Sequence, residues 1–126
     1  GSSLFGNGGA DQLFGDDGDD FIIGGSGDDL IVGAGGNDRL EGNADNDTFI
    51  FSPNSDQDII SDFIAGENTD DLIDLSGFDT AIANAVVTDA MSQTTEDTVL
   101  DFGNGDTLTL EDVVGTTLHS DDFIIA

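Results

Sequence analysis

Five aspartates, Asp11, Asp20, Asp29, Asp38 and Asp47, stand nine residues apart. Each follows a glycine by five residues (Gly6, Gly15, Gly24, Gly33, Gly42) and precedes a large apolar residue by two (Leu13, Ile22, Ile31, Leu40, Phe49). The fourth place of the unit is glycine in four units and Asp45 in the fifth. Asp is the short carboxylate of turns and of hard-cation sites, and 24 of the 28 acids are Asp. Glycine-rich turns bare backbone carbonyls. Together these oxygens can supply about six to eight ligands, which suits Ca²⁺, whereas Mg²⁺ demands a tighter octahedron and keeps its waters. With no Cys and one His, thiolate sites are excluded and zinc is disfavoured. Nothing points to catalysis. His119 stands beside Ser120 and Asp121, but chain neighbours do not make a triad. There is no H-E-x-x-H, and paired carboxylates are expected here as ligands.

The aspartates need a scaffold that brings them together. Six Gly-rich residues make a turn that calls for positive φ and close backbone approach. The next three make a very short strand with its middle side chain inward. Two units then make a coil of 18 residues, and side chains 18 apart stack. Leu4, Ile22 and Leu40 form one inner ladder, and Leu13, Ile31 and Phe49 the other. Leu4 belongs to a truncated unit whose sixth place is Ser2. Asp11 stacks over Asp29, Asp20 over Asp38, Asp29 over Asp47, and Asp38 over Asp56. Such pairs repel until a cation lies between them.

The charge bounds the partners. With 28 acids and one base, Arg39, the formal charge is −27. That repels nucleic acid and anionic membranes, and no apolar run is long enough for a membrane helix. High charge with many glycines usually means disorder, but 37% apolar residues and the regular repeat argue for a folded chain. After residue 50 the nine-residue register fades. Residues 58–64 and 70–75 read as strands, and 79–92 as a helix with Ile82, Val86 and Ala90 beside Ala83, Val87 and Met91. Residues 97–110 read as a hairpin around the Asn104-Gly105 turn, and "SDDFIIA" as a turn and last strand. The expected organisation is a repeat region, 1–56, and a capping and secretion-associated region of the same module, 57–126, because a solenoid end exposes unpaired edges and core.

The units match G-G-x-G-x-D-x-U-x, and residues 3–50 thereby resemble the RTX calcium-binding repeat. The second half, from "DTFIFSPNSDQDIISDF" through "DTVLDFGNGDTLTL", resembles the C-terminal part of RTX modules in serralysin-type metalloproteases and mannuronan epimerases. The resemblance implies an all-β fold with minor α: a right-handed parallel β-roll solenoid and a C-terminal β-rich capping region. It also implies ligand sets. Site one is Asn7, Gly9, Asp11, Gly24, Ser26 and Asp29. Site two is Asp16, Gly18, Asp20, Gly33, Gly35 and Asp38. Site three is Gly25, Gly27, Asp29, Gly42, Ala44 and Asp47. A fourth uses Ala34, Gly36 and Asp38 with Asp56, where Phe51 and Pro53 replace glycines. Asp62, Asp70 and Asp71 are either a further ion site or turn residues. The carboxylates of the extra acids at second and fifth places, Asp16, Asp19 and Asp28, are expected to be solvated and to raise the local cation concentration without ligating. The function implied is a non-enzymatic calcium-binding module of a secreted, extracellular bacterial protein. It would fold on Ca²⁺ outside the cell and assist export through a type I secretion apparatus, with a catalytic or adhesive parent domain upstream. The end "DDFIIA" resembles the family's secretion signal. The alternatives are a module binding a neutral glycan or cell surface, or an adhesin spacer. A polyanionic glycan would need more basic residues than Arg39.

Overall fold

The computed structural model describes residues 1–64 and 71–125. Its strands form two parallel sheets wound as a roll. The first sheet sets β1 (Ser3–Phe5), β3 (Phe21–Ile23), β5 (Arg39–Glu41) and β7 (Gln57–Ile60) side by side. The second sets β2 (Gln12–Phe14), β4 (Leu30–Val32), β6 (Thr48–Ile50) and β8 (Leu72–Asp74) side by side. The chain alternates between sheets at each turn, so coils stack. Both inner ladders read from the sequence are present: Leu4–Ile22–Leu40 and Leu13–Ile31–Phe49. They continue into Ile60 and Ile73.

This core is sparse for the chain it orders. One buried Ile contributes about 1.5–3 kcal/mol, whereas fixing the backbone of nine residues costs on the order of 9–18 kcal/mol. Coil-to-coil bonds must therefore carry much of the stability.

The repeat changes length at the sixth turn. Leu40 pairs with Ile60, and Asp38 N–H donates to Asp58 Oδ1 across a span of 20 residues rather than 18. The expected stack of Asp38 on Asp56 is thus corrected: Asp58 takes that place. Two extra residues precede the turn, so Pro53 and Ser55, not Phe51 and Pro53, hold its first and third places. Phe51 is instead buried beside Phe78, with ring centroids 5.9 Å apart. The span to the next coil on the other ladder is longer still, 24 residues from Asp47 to Asp71.

Beyond β8 the roll is covered by different elements. An α-helix, α1 (Thr80–Met91), is capped by Asp79, whose carboxylate accepts from Ala81 N and Ile82 N. Its buried residues are Ala83, Val87 and Ala90, while Ile82, expected beside them on the same face, is exposed. The hairpin of β9 (Thr98–Gly103) and β10 (Asp106–Leu110) turns at Asn104 and Gly105, both at positive φ, as a two-residue turn of this twist requires. β10 pairs parallel with β7, and β11 (Phe123–Ile124) with β8. β7 and β8 are shorter than the strands expected at 58–64 and 70–75. Phe63, Phe78 and Phe123 are buried, and Phe102 stacks on Phe78 at 4.2 Å. The single base, Arg39, forms a two-point ion pair with Glu111, tying β5 to the segment after β10.

Candidate metal sites between the coils

Each turn sets backbone and carboxylate oxygens around the seam between coils. The second and fourth places of the turns adopt the left-handed region: Asn7 and Gly9, Gly25 and Gly27, Ala34 and Gly36, Asn43 and Asp45, Asn54 and Asp56. Glycine reaches this region freely, and Asn and Asp tolerate it better than other residues. This alternation folds the six-residue turn tightly enough for carbonyls to face the neighbouring coil. Asn7 O, for example, accepts from Ser26 N at 2.8 Å.

The sixth-place aspartates form two continuous ladders. Asp11 N–H donates to Asp29 Oδ1 at 2.9 Å, Asp29 N–H to Asp47 Oδ1 at 3.0 Å, and Asp47 N–H to Asp71 Oδ1 at 3.1 Å. On the other side Ser2 N–H donates to Asp20 Oδ1 at 2.7 Å, Asp20 N–H to Asp38 Oδ1 at 2.8 Å, and Asp38 N–H to Asp58 Oδ1 at 2.9 Å. One oxygen of each of these carboxylates except that of Asp11, which heads its ladder, is thus spent on the coil before. The other oxygen differs. Oδ2 of Asp11, Asp29, Asp38 and Asp47 is buried and has no hydrogen-bond partner. A buried, unpaired carboxylate oxygen is costly.

Those oxygens lie against the first-place glycines, where any side chain would collide with them. A methyl built on Gly6 would lie 2.6 Å from Asp11 Oδ2 and 2.5 Å from Gly24 O. One built on Gly24 would collide with Asp29 Oδ2 and lie 3.0 Å from Gly42 O. An aspartate oxygen and the first-place carbonyl of the next coil therefore lie beside the same glycine. Among the described residues no three acidic or imidazole side chains form a cluster, so a cation here would draw mainly on backbone oxygens. The all-oxygen donor set fits Ca²⁺.

Burial and repulsion act on these groups together. Burial is the main cause that raises the Asp29 carboxyl above its ordinary range, with Asp11, Asp28 and Asp45 adding repulsion. Burial likewise pushes Asp38 up to about 6, Asp47 to about 7 and Asp58 to about 8. Asp71, Asp29 and Asp62 add repulsion at Asp47. Bonds from backbone amides oppose the shifts without cancelling them.

The expected sites are not alike. In the second turn Asp16 and Gly18 are not left-handed; Asp16 N–H donates to Asp20 Oδ2 at 2.9 Å, and Gly18 N–H to Asp16 Oδ1 at 2.9 Å. Asp20 thus lacks the free oxygen its counterparts offer. At the fourth site Asp58 replaces Asp56, and Asp56 Oδ2 accepts from Gly36 N instead. Asp45 Oδ2 accepts from Gly27 N in the same way. Asp19 and Asp28, expected to be merely solvated, accept from Asn37 N and Asn46 N one coil on. Asp62 accepts from Gly42 N and Asn43 N, so both its oxygens serve that turn. Asp71 accepts from Asp47 N and Ile64 N, and Asp70 lies outside the described residues. His119 serves a turn: its Nδ1 accepts from Asp121 N, and its own N–H donates to Asp122 Oδ2.

Stacked coils with calcium-type seams, closed by a hairpin and a helix, define an RTX β-roll module. Residues 3–31 match the RTX calcium-binding nonapeptide repeat (4 copies), and residues 19–126 match the family described as Peptidase M10 serralysin C terminal. The chain belongs to that serralysin C-terminal family, and its repeats are calcium-binding repeats of the kind found in secreted proteins. Among solved structures it is similar to the extracellular lipase LipA from Serratia marcescens, at 25% identity and a TM-score of 0.57, covering 94% of this chain and 20% of the lipase. It also aligns with the AlgE6R3 subunit of the Azotobacter vinelandii mannuronan C5-epimerase, at 25% identity and a TM-score of 0.36, covering 94% of this chain and 80% of that one. No curated protein matches.

Proposed function

We propose that this chain is a calcium-actuated folding module that assists the export and stability of a larger secreted protein. The observation that carries the reading is made among the described residues: four buried Oδ2 atoms, on Asp11, Asp29, Asp38 and Asp47, have no hydrogen-bond partner there. A bound Ca²⁺ supplies the positive charge that turns stacked carboxylates from repulsive to cohesive.

Site one would take Asp11, Asp29 and the carbonyls of Asn7, Gly9, Gly24 and Ser26. Site three would take Asp29, Asp47 and the carbonyls of Gly25, Gly27, Gly42 and Ala44. The fourth would take Asp38, Asp58 and the carbonyls of Ala34, Gly36, Pro53 and Ser55. Site two, with Asp20, Asp38 and the carbonyls of Asp16, Gly18, Gly33 and Gly35, would be weaker, because the second turn spends Asp20 Oδ2 on its own backbone. Affinities typical of extracellular modules, on the order of 10⁻⁴–10⁻³ M, would leave the module open in a low-calcium cytoplasm and closed outside. That suits export through a type I secretion apparatus, with residues 57–126 as cap and folding nucleus and a parent domain elsewhere in the protein.

Far-UV circular dichroism in chelator, then in millimolar Ca²⁺ or Mg²⁺, tests the switch. The chain should be largely unstructured in chelator and in Mg²⁺, and β-rich in Ca²⁺. Full β-structure in chelator would overturn it. A fragment ending at Phe51 should stay disordered in Ca²⁺ that folds the whole chain; folding at the same concentration would remove the nucleating role from the second half.

A further inference from the structure

The first sheet ends in β9, which pairs with β10 on one side only. Its six residues make it longer than any other strand among the described residues. A long edge strand presents unpaired N–H and C=O groups on which another chain can pair. The second sheet limits this by brevity, since β11 at its edge is two residues long.

At β9 a side chain closes the edge. Gln93, just past the end of α1, accepts from Val99 N through Oε1 at 2.9 Å and donates from Nε2 to Val99 O at 2.8 Å. A carboxamide holds an acceptor and a donor in one plane, as a peptide unit does. Gln93 therefore gives Val99 both bonds that a neighbouring strand would give. Because the Val99 N–H is spent on Gln93, it faces away from Thr109, its opposite residue in β10. Gln93 is itself held in place: its N–H donates to Ala90 O, its carbonyl accepts from Thr116 N, and Nε2 also donates to Asp89 Oδ2 at 3.1 Å. Although α1 packs against β9, Val99 stays 38% exposed.

Without that amide the edge has the symmetry of a self-pairing strand. Two β9 strands set antiparallel about Val99 would exchange both bonds between Val99 and its copy, on a two-fold axis. The same register sets Asp97 opposite Asp101 of the second copy. Like charges in opposed positions repel, and salt screens that repulsion.

We propose that the β9 edge is a self-association surface held shut by Gln93, where a second copy of this chain pairs once the Gln93 amide is withdrawn. The inference rests on the cap and not on the calcium seams.

The test is analytical ultracentrifugation of the whole chain in CaCl₂ at about 0.15 M NaCl, with the fold checked by circular dichroism. The wild type should sediment as a monomer. Gln93→Ala should self-associate about tenfold or more tightly, because the freed Val99 groups regain partners by pairing. More NaCl should tighten that association. Adding Val99→Pro should return the variant to monomer, since it removes the outward N–H and no bond to β10; loosened packing alone would not be reversed that way. Gln93→Met keeps the length of the stem without the amide and serves should Gln93→Ala misfold. Hydrogen exchange on the wild type needs no variant: the Val99 N–H should exchange at least about tenfold more slowly than in the unfolded chain, although no strand bonds it. A Val99 amide that exchanges freely would overturn the proposal. So would folded variants that stay monomeric, an association that Val99→Pro leaves intact, or a wild type that associates as tightly as Gln93→Ala.

Discussion

Asp29 sits in two proposed seams, whereas Asp11 sits in one, and the difference can be weighed. Asp29→Asn keeps an oxygen to accept Asp11 N–H, the bond that measures 2.9 Å, so the coil-to-coil link survives. What changes is the buried Oδ2, which becomes an amide and no longer carries charge. Loss of one ligating charge is worth roughly tenfold in affinity, about 1.4 kcal/mol per ion, so Asp29→Asn should lose about 2.8 kcal/mol and Asp11→Asn about 1.4 kcal/mol. Spread over about four ions bound in one cooperative step, 2.8 kcal/mol is about half a logarithmic unit, and the midpoint for folding should rise about threefold. Asp11→Asn should raise it less than about twofold by the same arithmetic. The assay is a Ca²⁺ titration of the three proteins by far-UV circular dichroism, at one protein concentration and ionic strength. Equal shifts for the two variants, or a larger shift for Asp11→Asn, would refute the two-seam role of Asp29.

Gly24→Ala should raise the Ca²⁺ midpoint, because its methyl would collide with Asp29 Oδ2, whereas Gly8→Ala, whose methyl meets only Ser26 Oγ at 3.5 Å, should leave it near wild type; a titration of both checks the pocket. Asp58→Asn should weaken the Ca²⁺ response more than Asp56→Asn, since Asp58 stands in the ladder and Asp56 binds a turn amide; the reverse order would restore the uninterrupted period. In chelator, β-structure should return as pH falls from about 8 toward 4. The folded carboxyls of Asp38, Asp47 and Asp58 hold protons up to about 6, 7 and 8, well above an unfolded value of about 3.9, so their contribution is fully present below the unfolded value and is lost as pH rises through the folded ones. A pH-independent spectrum over that window would contradict the shifts. In Ca²⁺ the same linkage runs the other way, and affinity should rise with pH as protons cease to compete.

The roll was legible because three residue types recur at fixed places. Glycine at the first, Asp at the sixth and an apolar residue at the eighth gave both ladders, Leu4–Ile22–Leu40 and Leu13–Ile31–Phe49, and the stacking of the sixth-place aspartates through Asp47. The sixth turn was missed because it has no glycine: Asn54 and Asp56 hold the left-handed places instead. A signal existed. "NSDQDII", 54–60, repeats the pattern of "NADNDTF", 43–49, and sets Asp58 and Ile60 where Asp47 and Phe49 stand. Counting strictly in nines hid it, since two residues were inserted before the turn. The second turn's different backbone was not legible, because its spacing and its Gly18 match the others; the absence of left-handed Asp16 and Gly18 and the bond from Asp16 N to Asp20 Oδ2 reveal it. Nor could spacing tell that Asp19, Asp28 and Asp62 accept backbone amides, as that depends on which way each turn faces its neighbour. In the second half, periodicity located α1 but put Ile82 on its inner face, whereas packing against β9 buries Ala83, Val87 and Ala90 and leaves Ile82 exposed.

The central claim is that cations lie between stacked coils, held by carboxylates paired one coil apart. A crystal structure of the whole chain grown in Ca²⁺, with anomalous scattering recorded to locate the ions, tests it most directly. The account requires anomalous peaks in the seams between Asp11 and Asp29, between Asp29 and Asp47, and between Asp38 and Asp58, with the second-turn site between Asp20 and Asp38 weakest. Seams without peaks, or ions gathered only at the outward acids Asp19 and Asp28, would contradict it.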